Sequence, residues 1–170
     1  VQVDSDTFAL AYQGDYGGGG YIATVDIDSD GDITAVKTQS EGNSHKYSTY
    51  GAIESWGKSF VKMDSDTFAL AHTSASVGGY ITTFNISSNG QAITKLANLH
   101  HDEDYATRGT LLKVDSDTVA LAYRSSNSGT IKTFDIDSDG DITLADSLVH
   151  ATGGVYFNSL VQVDSDTFAL

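Results

Sequence analysis

The chain has 170 residues, of which 39% are hydrophobic, so it is long enough for one packed domain of ordinary size. Its 23 acidic and 9 basic side chains give a net charge of −14, which disfavours nucleic acid and anionic membrane surfaces as partners. It contains no cysteine, which excludes disulfides and thiolate metal sites, and it has no apolar run long enough for insertion into a membrane.

One phrase recurs along the chain and defines a repeat of about 50 residues. It begins at Val3 as Val-Asp-Ser-Asp-Thr-Phe-Ala-Leu, and copies of it begin at Met63, Val114 and Val163. A second phrase, Tyr21-Ile-Ala-Thr-Val-Asp-Ile, has a counterpart after the second and third copies. We therefore predict a single repeat domain over residues 1–170, with repeats at approximately 1–55, 56–107 and 108–155 and a partial repeat at 156–170.

Each repeat is predicted to form four antiparallel strands, named A to D in chain order. Strand A precedes the Asp-Ser-Asp turn, as at residues 158–163, and strand B follows it, as at 7–12. Strand C covers 21–27 and strand D covers 33–38 in the first repeat. Strand B alternates large and small uncharged residues, which is typical of a strand covered on both faces. No segment has the apolar period of a helix, so the sequence predicts an all-β fold.

The gradient from an apolar strand B to a more polar strand D is typical of a β-propeller blade, and the chain would supply about three four-stranded blades. A β-trefoil, which also has three repeats of four strands, is the alternative. The sequential strand signals and the additional strand A near Asn158 favour the propeller.

These motifs resemble the tandem β-propeller repeats of environmental and marine bacteria. The resemblance is carried by Asn158 to Leu170, Val3 to Tyr12, Met63 to His72, Val114 to Tyr123 and the three C strands. The layout is also similar to sialidase-type blades, but the Trp that closes that family's Asp-box is missing. The resemblance implies a propeller fold and little about activity.

The two ends of the sequence suggest assembly. Residues 1–10 and 161–170 are identical, and both cut a repeat, which is the pattern expected of a fragment of a longer array. Three blades are too few for a ring, since propellers have about four to eight. We therefore predict that the chain binds itself as a homodimer with a six-bladed ring, in which the spare strand A near 158–163 joins the partner's first blade.

Two acidic turns between strands C and D match the opening of a calcium loop. Their candidate ligands are Asp28, Asp30, Asp32, Asp137, Asp139 and Asp141. The middle repeat lacks these carboxylates, and the position of the loop's final Glu is Lys37 in the first turn and Asp146 in the other. The alternative is a solvated hairpin turn that uses Asp and Gly for their geometry. Calcium is the one cofactor considered.

The loops that join strand D to the next strand A vary most between repeats and lie opposite the acidic turns. The candidate ligand-binding residues of this face are Tyr47, Trp56, His101, Tyr105, Arg108, His150 and Tyr156. Aromatic and polar groups together suit recognition of a carbohydrate or a peptide. A structural role between neighbouring blades is the alternative for each histidine.

The sequence contains no nucleophile, cofactor or phosphate-binding motif, so we predict no catalytic residue and expect a protein that is not an enzyme. The expected function is binding or surface display by a propeller module whose ligand is unknown. The alternatives are a purely structural repeat and a glycosidase-type hydrolase that would use carboxylates such as Asp102, Glu103 and Asp104. A secreted or cell-surface location is favoured.

Overall fold

The computed structural model describes residues 1–14, 19–37, 45–48, 51–52, 59–74, 78–104, 106–156 and 158–170. These residues form fifteen β-strands and no helix, so none of them belongs to a helix that could cross a membrane. The strands are β1 (Thr7–Gln13), β2 (Gly20–Ile27), β3 (Ile33–Lys37), β4 (His45–Ser48), β5 (Gly51–Ala52), β6 (Phe60–Lys62), β7 (Thr67–Ser74), β8 (Gly78–Ile86), β9 (Ile93–Asp102), β10 (Ala106–Lys113), β11 (Thr118–Ser125), β12 (Ser128–Ile136), β13 (Ile142–Ala151), β14 (Val161–Gln162) and β15 (Phe168–Ala169).

The strands form three antiparallel sheets and a hairpin. Sheet 1 runs β1-β2-β3, and β4 also pairs with β2. Sheet 2 runs β7-β8-β9, with β5 and β6 both paired to β7 as segments of its first strand. Sheet 3 runs β10-β11-β12-β13, and the terminal hairpin is β14-β15. Successive strands pair in chain order, which confirms the predicted all-β fold with four-stranded antiparallel sheets and differs from the capped barrel of a β-trefoil.

The alternation of strand B explains how the sheets stack. In β7, Phe68 and Leu70 point to one side, the large face of sheet 2, and Ala69 and Ala71 point to the other, its small face. The large face of sheet 2 packs on the small face of sheet 1, and the large face of sheet 3 packs on the small face of sheet 2. Because large side chains lie against alanines, each junction is filled without crowding. Leu160, which precedes β14, and Phe168 of β15 pack on the small face of sheet 3.

A threonine of strand C joins each sheet to the next. The hydroxyl of Thr24 donates to the carbonyl of Gly90 at 2.8 Å, and that of Thr83 donates to the carbonyl of Gly140 at 2.6 Å. Both acceptors lie in the turn between strands C and D of the following sheet, where φ is +66° at Gly90 and +84° at Gly140. Glycine is required in this turn because the backbone is left-handed and touches the preceding sheet.

A lysine of strand A makes a second recurring bond at the same junctions. The ammonium of Lys62 donates to the carbonyl of Val3 at 2.5 Å, and Lys113 donates to the carbonyl of Met63. Each lysine therefore satisfies a main-chain acceptor of the preceding sheet. The two junctions share their apolar contacts and their polar bonds, so the repeat in sequence is also a repeat in inter-sheet chemistry.

Strand D is longer than the sequence predicted, and this corrects the location of several candidate residues. His101 and His150 were expected in loops but lie in strands, His101 in β9 and His150 in β13. The strands continue because a bulge near their ends keeps them paired with strand C. The variable face is therefore built partly from strand ends and only partly from loops.

Candidate functional site

Three of the predicted binding residues occupy one structural position. Tyr47, His101 and His150 are the extra residues at the bulge where strand D pairs with the start of strand C. The glycine opposite leaves room for the ring: a Cβ on Gly79 would lie 2.6 Å from His101, and one on Gly129 would lie 2.3 Å from His150. A ring lying over a strand-C glycine is thus a recurring structural feature in sheets 2 and 3.

At the junction of sheets 2 and 3, the His101 ring makes edge contacts with two aromatic rings of sheet 3. Its centroid lies 5.1 Å from that of Tyr123 and 5.6 Å from that of Phe134. The Tyr123 hydroxyl donates to the Asp102 carboxylate at 2.6 Å. The Lys132 ammonium donates to the His101 carbonyl at 2.5 Å and lies 3.9 Å from Asp102. These five side chains, which we call the seam cluster, join the two sheets.

The ionisation of the seam cluster suits a structural role for its histidine. Burial lowers the pKa of His101 to about 3, and the charge of Lys132 acts in the same direction. Burial raises the pKa of Tyr123, and its hydrogen bond to Asp102 raises it further. Burial acts to raise the pKa of Asp102, but hydrogen bonds from Tyr123 and from the Asp104 amide lower it below its ordinary value. At neutral pH the cluster therefore holds a neutral imidazole, a protonated phenol and a carboxylate.

Arg108 is held in a strained conformation beside the seam. Its φ is +56°, at a shift of register between β10 and β11, and its guanidinium donates to the carbonyl of Tyr156 at 3.0 Å. The Tyr156 ring lies 5.6 Å from this guanidinium and 5.1 Å from that of Arg124. Two cations thus flank an exposed tyrosine. A non-glycine residue at positive φ is uncommon and frequently marks a functional constraint.

The structure brings some of the predicted site residues together and leaves others apart. His101 and Arg108 line one cavity at the junction of sheets 2 and 3, and Tyr156 contacts Arg108 at its edge. His150 lies instead at the bulge of β13 in sheet 3, where its ring lies over Gly129. Tyr47 is in β4, but its side chain, with Trp56 and Tyr105, lies outside the described residues.

The cavity that contains His101 is small. Its volume is about 20 Å³, which is room for roughly one water molecule. A sugar ring or a peptide side chain does not fit inside it. Carbohydrate or peptide binding therefore stays a prediction, and its place on this face would be the exposed surface around Tyr156.

The acidic turns use their carboxylates to close the backbone. One oxygen of Asp28 accepts from the amides of Asp30 at 2.9 Å and Asp32 at 3.0 Å, and Asp137 makes the same pair of bonds in sheet 3. In sheet 2 the hydroxyl of Ser87 accepts from the Ala92 amide at 2.9 Å in their place. Among the described residues, no three His, Asp or Glu side chains converge to hold a metal ion. Turn geometry explains these residues, and calcium binding stays a prediction.

The sequence interpretation missed the residues that join the sheets. Thr24, Thr83 and Thr133 occupy the same position of strand C, and Lys62 and Lys113 the same position of strand A. Their recurrence at fixed positions of the repeat was the available signal. The sequence could not show that these residues bond to the neighbouring sheet, because their acceptors are main-chain carbonyls, which every residue has.

Comparison with known proteins supports the fold. No protein-family model and no curated protein matches the chain. A structure described as a putative 6-phosphogluconolactonase from Bacteroides fragilis matches 99% of this chain with a TM-score of 0.57 and 14% identity, over 41% of its own length. A protein from Lactobacillus plantarum matches 83% of this chain with a TM-score of 0.54 and 16% identity, over 42% of its own length. The chain thus has a fold similar to 6-phosphogluconolactonase-like β-propellers and spans about two-fifths of them.

This comparison corrects one expectation. The prediction that the chain is not an enzyme is wrong on this finding, because the first of these structural neighbours is described as an enzyme. At 14% identity the similarity establishes the fold, and it assigns neither a substrate nor catalytic residues to this chain.

Proposed function

We propose that this chain is a self-assembling β-propeller module in which two copies close a six-bladed ring, each copy supplying sheets 1, 2 and 3 as blades. The observation that carries the proposal is the exposure of Leu10. It is 56% exposed, whereas its equivalents Leu70 and Leu121 are 0% and 2% exposed because a preceding sheet covers them. The large face of sheet 1 has the same chemistry as two faces that are buried elsewhere in the chain, so a small face of the same repeat fits it.

The complementary surface is the outer part of the small face of sheet 3. Leu148 is 62% exposed there, while its equivalent Leu99 is partly buried against sheet 3. Ile131 is only partly buried, although Ile22 and Ile81 at its position are fully buried. One end of the chain therefore offers a large face and the other a small face, which is the pairing used at both internal junctions.

Hydrogen bonding supports the same pairing. The Thr133 hydroxyl has no hydrogen bond to a described residue, whereas Thr24 and Thr83 each donate to a glycine carbonyl of the next sheet. Gly31 is the matching acceptor position, and nothing lies within 4 Å of the place its Cβ would take. A bond from Thr133 to Gly31 of a second copy would complete the series, and two such junctions related by a twofold axis would close the ring.

The number of sheets that two copies supply is also consistent with a ring. A propeller needs about four to eight blades before its first and last blades meet. Two copies supply a number of sheets within that range.

The experiment is a dissociation constant from sedimentation equilibrium for the unaltered chain and for two leucine variants. Burial of a leucine contributes about 2 kcal/mol, and each ring contains two Leu10 junctions, so Leu10→Asp should weaken association by about 1,000-fold or more. Leu144→Asp is the matched control: Leu144 is 51% exposed, but its position in sheet 2 is taken by Lys95, so a charge is tolerated. An equal effect of both variants, or a chain that stays monomeric, contradicts the proposal.

A further inference from the structure

We infer that the ring closes by exchange of a strand, so that β14 of one copy becomes the first strand of sheet 1 in the second copy. This inference rests on the self-association proposed above and names the contact that makes it. The partner is another copy of this chain, and the segment that it receives is Val161–Val163, with Val161 opposite Ala9 and Gln162 opposite Phe8 of that copy.

The two segments that compete for this place are chemically identical. Residues 161–170 repeat residues 1–10 without a change. In the hairpin, Val161 lies opposite Ala169 and Gln162 opposite Phe168. At the other end of the chain, Gln2 bridges Phe8, and the Val1 carbonyl accepts from the Ala9 amide at 2.8 Å. Replacement of one segment by the other therefore preserves both register and side chains.

The lengths of the two pairings decide which one opens. β14 and β15 are joined by two residue pairs, whereas β1 and β2 are joined by seven. Exchange opens the two pairs of β14 and β15 and the single Gln2–Phe8 bridge, and it leaves the seven pairs of β1 and β2 in place. The segment up to residue 160 stays in place, because Thr110 donates to the carbonyl of Asn158 at 3.0 Å and Leu160 packs on sheet 3. β15 is thus the element that gives way to β1 of the second copy.

The place that β14 would take in the second copy is a buried one. Val163 is 63% exposed, whereas Val3 and Met63 at the same position are 2% and 3% exposed. Val3 is covered by sheet 2, and its carbonyl accepts from Lys62. In the exchanged arrangement Val163 replaces Val3 against sheet 2 of the second copy, and Lys62 of that copy donates to the Val163 carbonyl, so the contacts of this place are kept while the segment that makes them changes.

Because the chain contains no cysteine, a disulfide can be placed to test this pairing directly. Residues directly opposite each other in an antiparallel pair are about 4.5–5.5 Å apart at Cα, which a disulfide can bridge. The test variant is Val161→Cys with Ala9→Cys, and the matched control is Val161→Cys with Ala169→Cys. Both variants place one of their cysteines in the same local sequence, Thr-Phe-Ala-Leu.

We expect mild oxidation to convert most of the test variant into a covalent dimer and to leave little of it as a cross-linked monomer. The control should close within one chain and lose association, because its hairpin can no longer open. A test variant that still associates without cross-linking overturns the exchange and leaves the proposed ring standing. If the test variant before oxidation and the unaltered chain are both found to be monomeric, the proposed ring is contradicted.

Mixing two single variants guards against a folding defect in the double variant. A Val161→Cys chain and an Ala9→Cys chain, each shown to fold by circular dichroism, are combined and oxidised. Exchange predicts mixed disulfide dimers in excess of either homodimer. Homodimers alone, in the proportions formed by each chain by itself, contradict the exchange.

Discussion

Replacement of Thr83 by valine should destabilise the chain through the loss of two hydrogen bonds, one of which crosses the junction of sheets 2 and 3. Thr83 is fully buried; its hydroxyl donates to the Gly140 carbonyl at 2.6 Å and accepts from the Ala97 amide at 3.1 Å. Valine has nearly the same shape, so packing changes little. A buried group that loses its partner costs about 1–3 kcal/mol, and two groups lose theirs here. We expect the free energy of unfolding to fall by about 2–4 kcal/mol.

The assay is urea unfolding followed by circular dichroism at a protein concentration low enough for the monomer. With a slope of about 1–3 kcal/mol per molar urea, the midpoint should fall by roughly 1–2 M. Thr133→Val is the matched control, because Thr133 has the same position in strand C but no hydrogen bond to a described residue. It should change stability by less than about 0.5 kcal/mol. Equal losses in both variants would falsify the role given to the threonine bonds.

Four other changes test the inter-sheet glycine, the net charge, the buried histidine and the acidic turns. Gly90→Ala should lower the free energy of unfolding of the monomer by about 1–3 kcal/mol more than Gly31→Ala. Both glycines have positive φ, but only a Cβ at Gly90 meets a neighbouring sheet, 2.9 Å from Thr7. Equal losses of stability in the two variants contradict this. Added salt should tighten self-association, since it screens repulsion between chains of net charge −14, and a weaker dimer at high salt would show that ion pairs hold it. The pKa of His101 is lowered to about 3, so between pH 6.5 and 3 the unfolded chain binds a proton that the folded chain does not, and the free energy of unfolding falls as the pH falls. His101→Phe should remove about 2 kcal/mol of the stability that the chain loses between pH 6.5 and 5. A variant with the same pH dependence of stability as the unaltered chain refutes this role of His101. If the turns at Asp28–Asp32 and Asp137–Asp141 bind calcium, millimolar calcium should raise the melting temperature and a chelator should reverse it, whereas no shift counts against a site.

The sequence was a good guide to the order of the strands and a poor guide to where they end. The Asp-Ser-Asp turn recurs because one oxygen of Asp64 accepts from the Asp66 and Thr67 amides, at 3.0 and 2.7 Å, so the motif itself encodes the turn. β9 and β13 extend past their predicted ends because a bulge absorbs His101 and His150. A bulge has no reliable signature in a single sequence, although in sheets 2 and 3 it accompanies a strand-C glycine that a histidine ring covers.

The candidate site could be predicted as a set of residues but not as a geometry. His101, Arg108 and Tyr156 were chosen for their chemistry, and the fold does bring them to one edge of the junction between sheets 2 and 3. The size of the cavity between them depends on how closely sheets 2 and 3 approach, which is set by alanines such as Ala71 on strand B. Alternation of large and small residues predicted two covered faces, but it could not show which face would stay open in sheet 1.

Native mass spectrometry of the unaltered chain at micromolar concentration is the most direct measurement of the proposed assembly. The account predicts a principal species of twice the 18.0 kDa chain mass, with no ladder of higher species, because a twofold ring has no free end faces. A single species at 18.0 kDa would contradict it, and a continuous ladder of masses would show that the faces meet in an open stack instead of a ring.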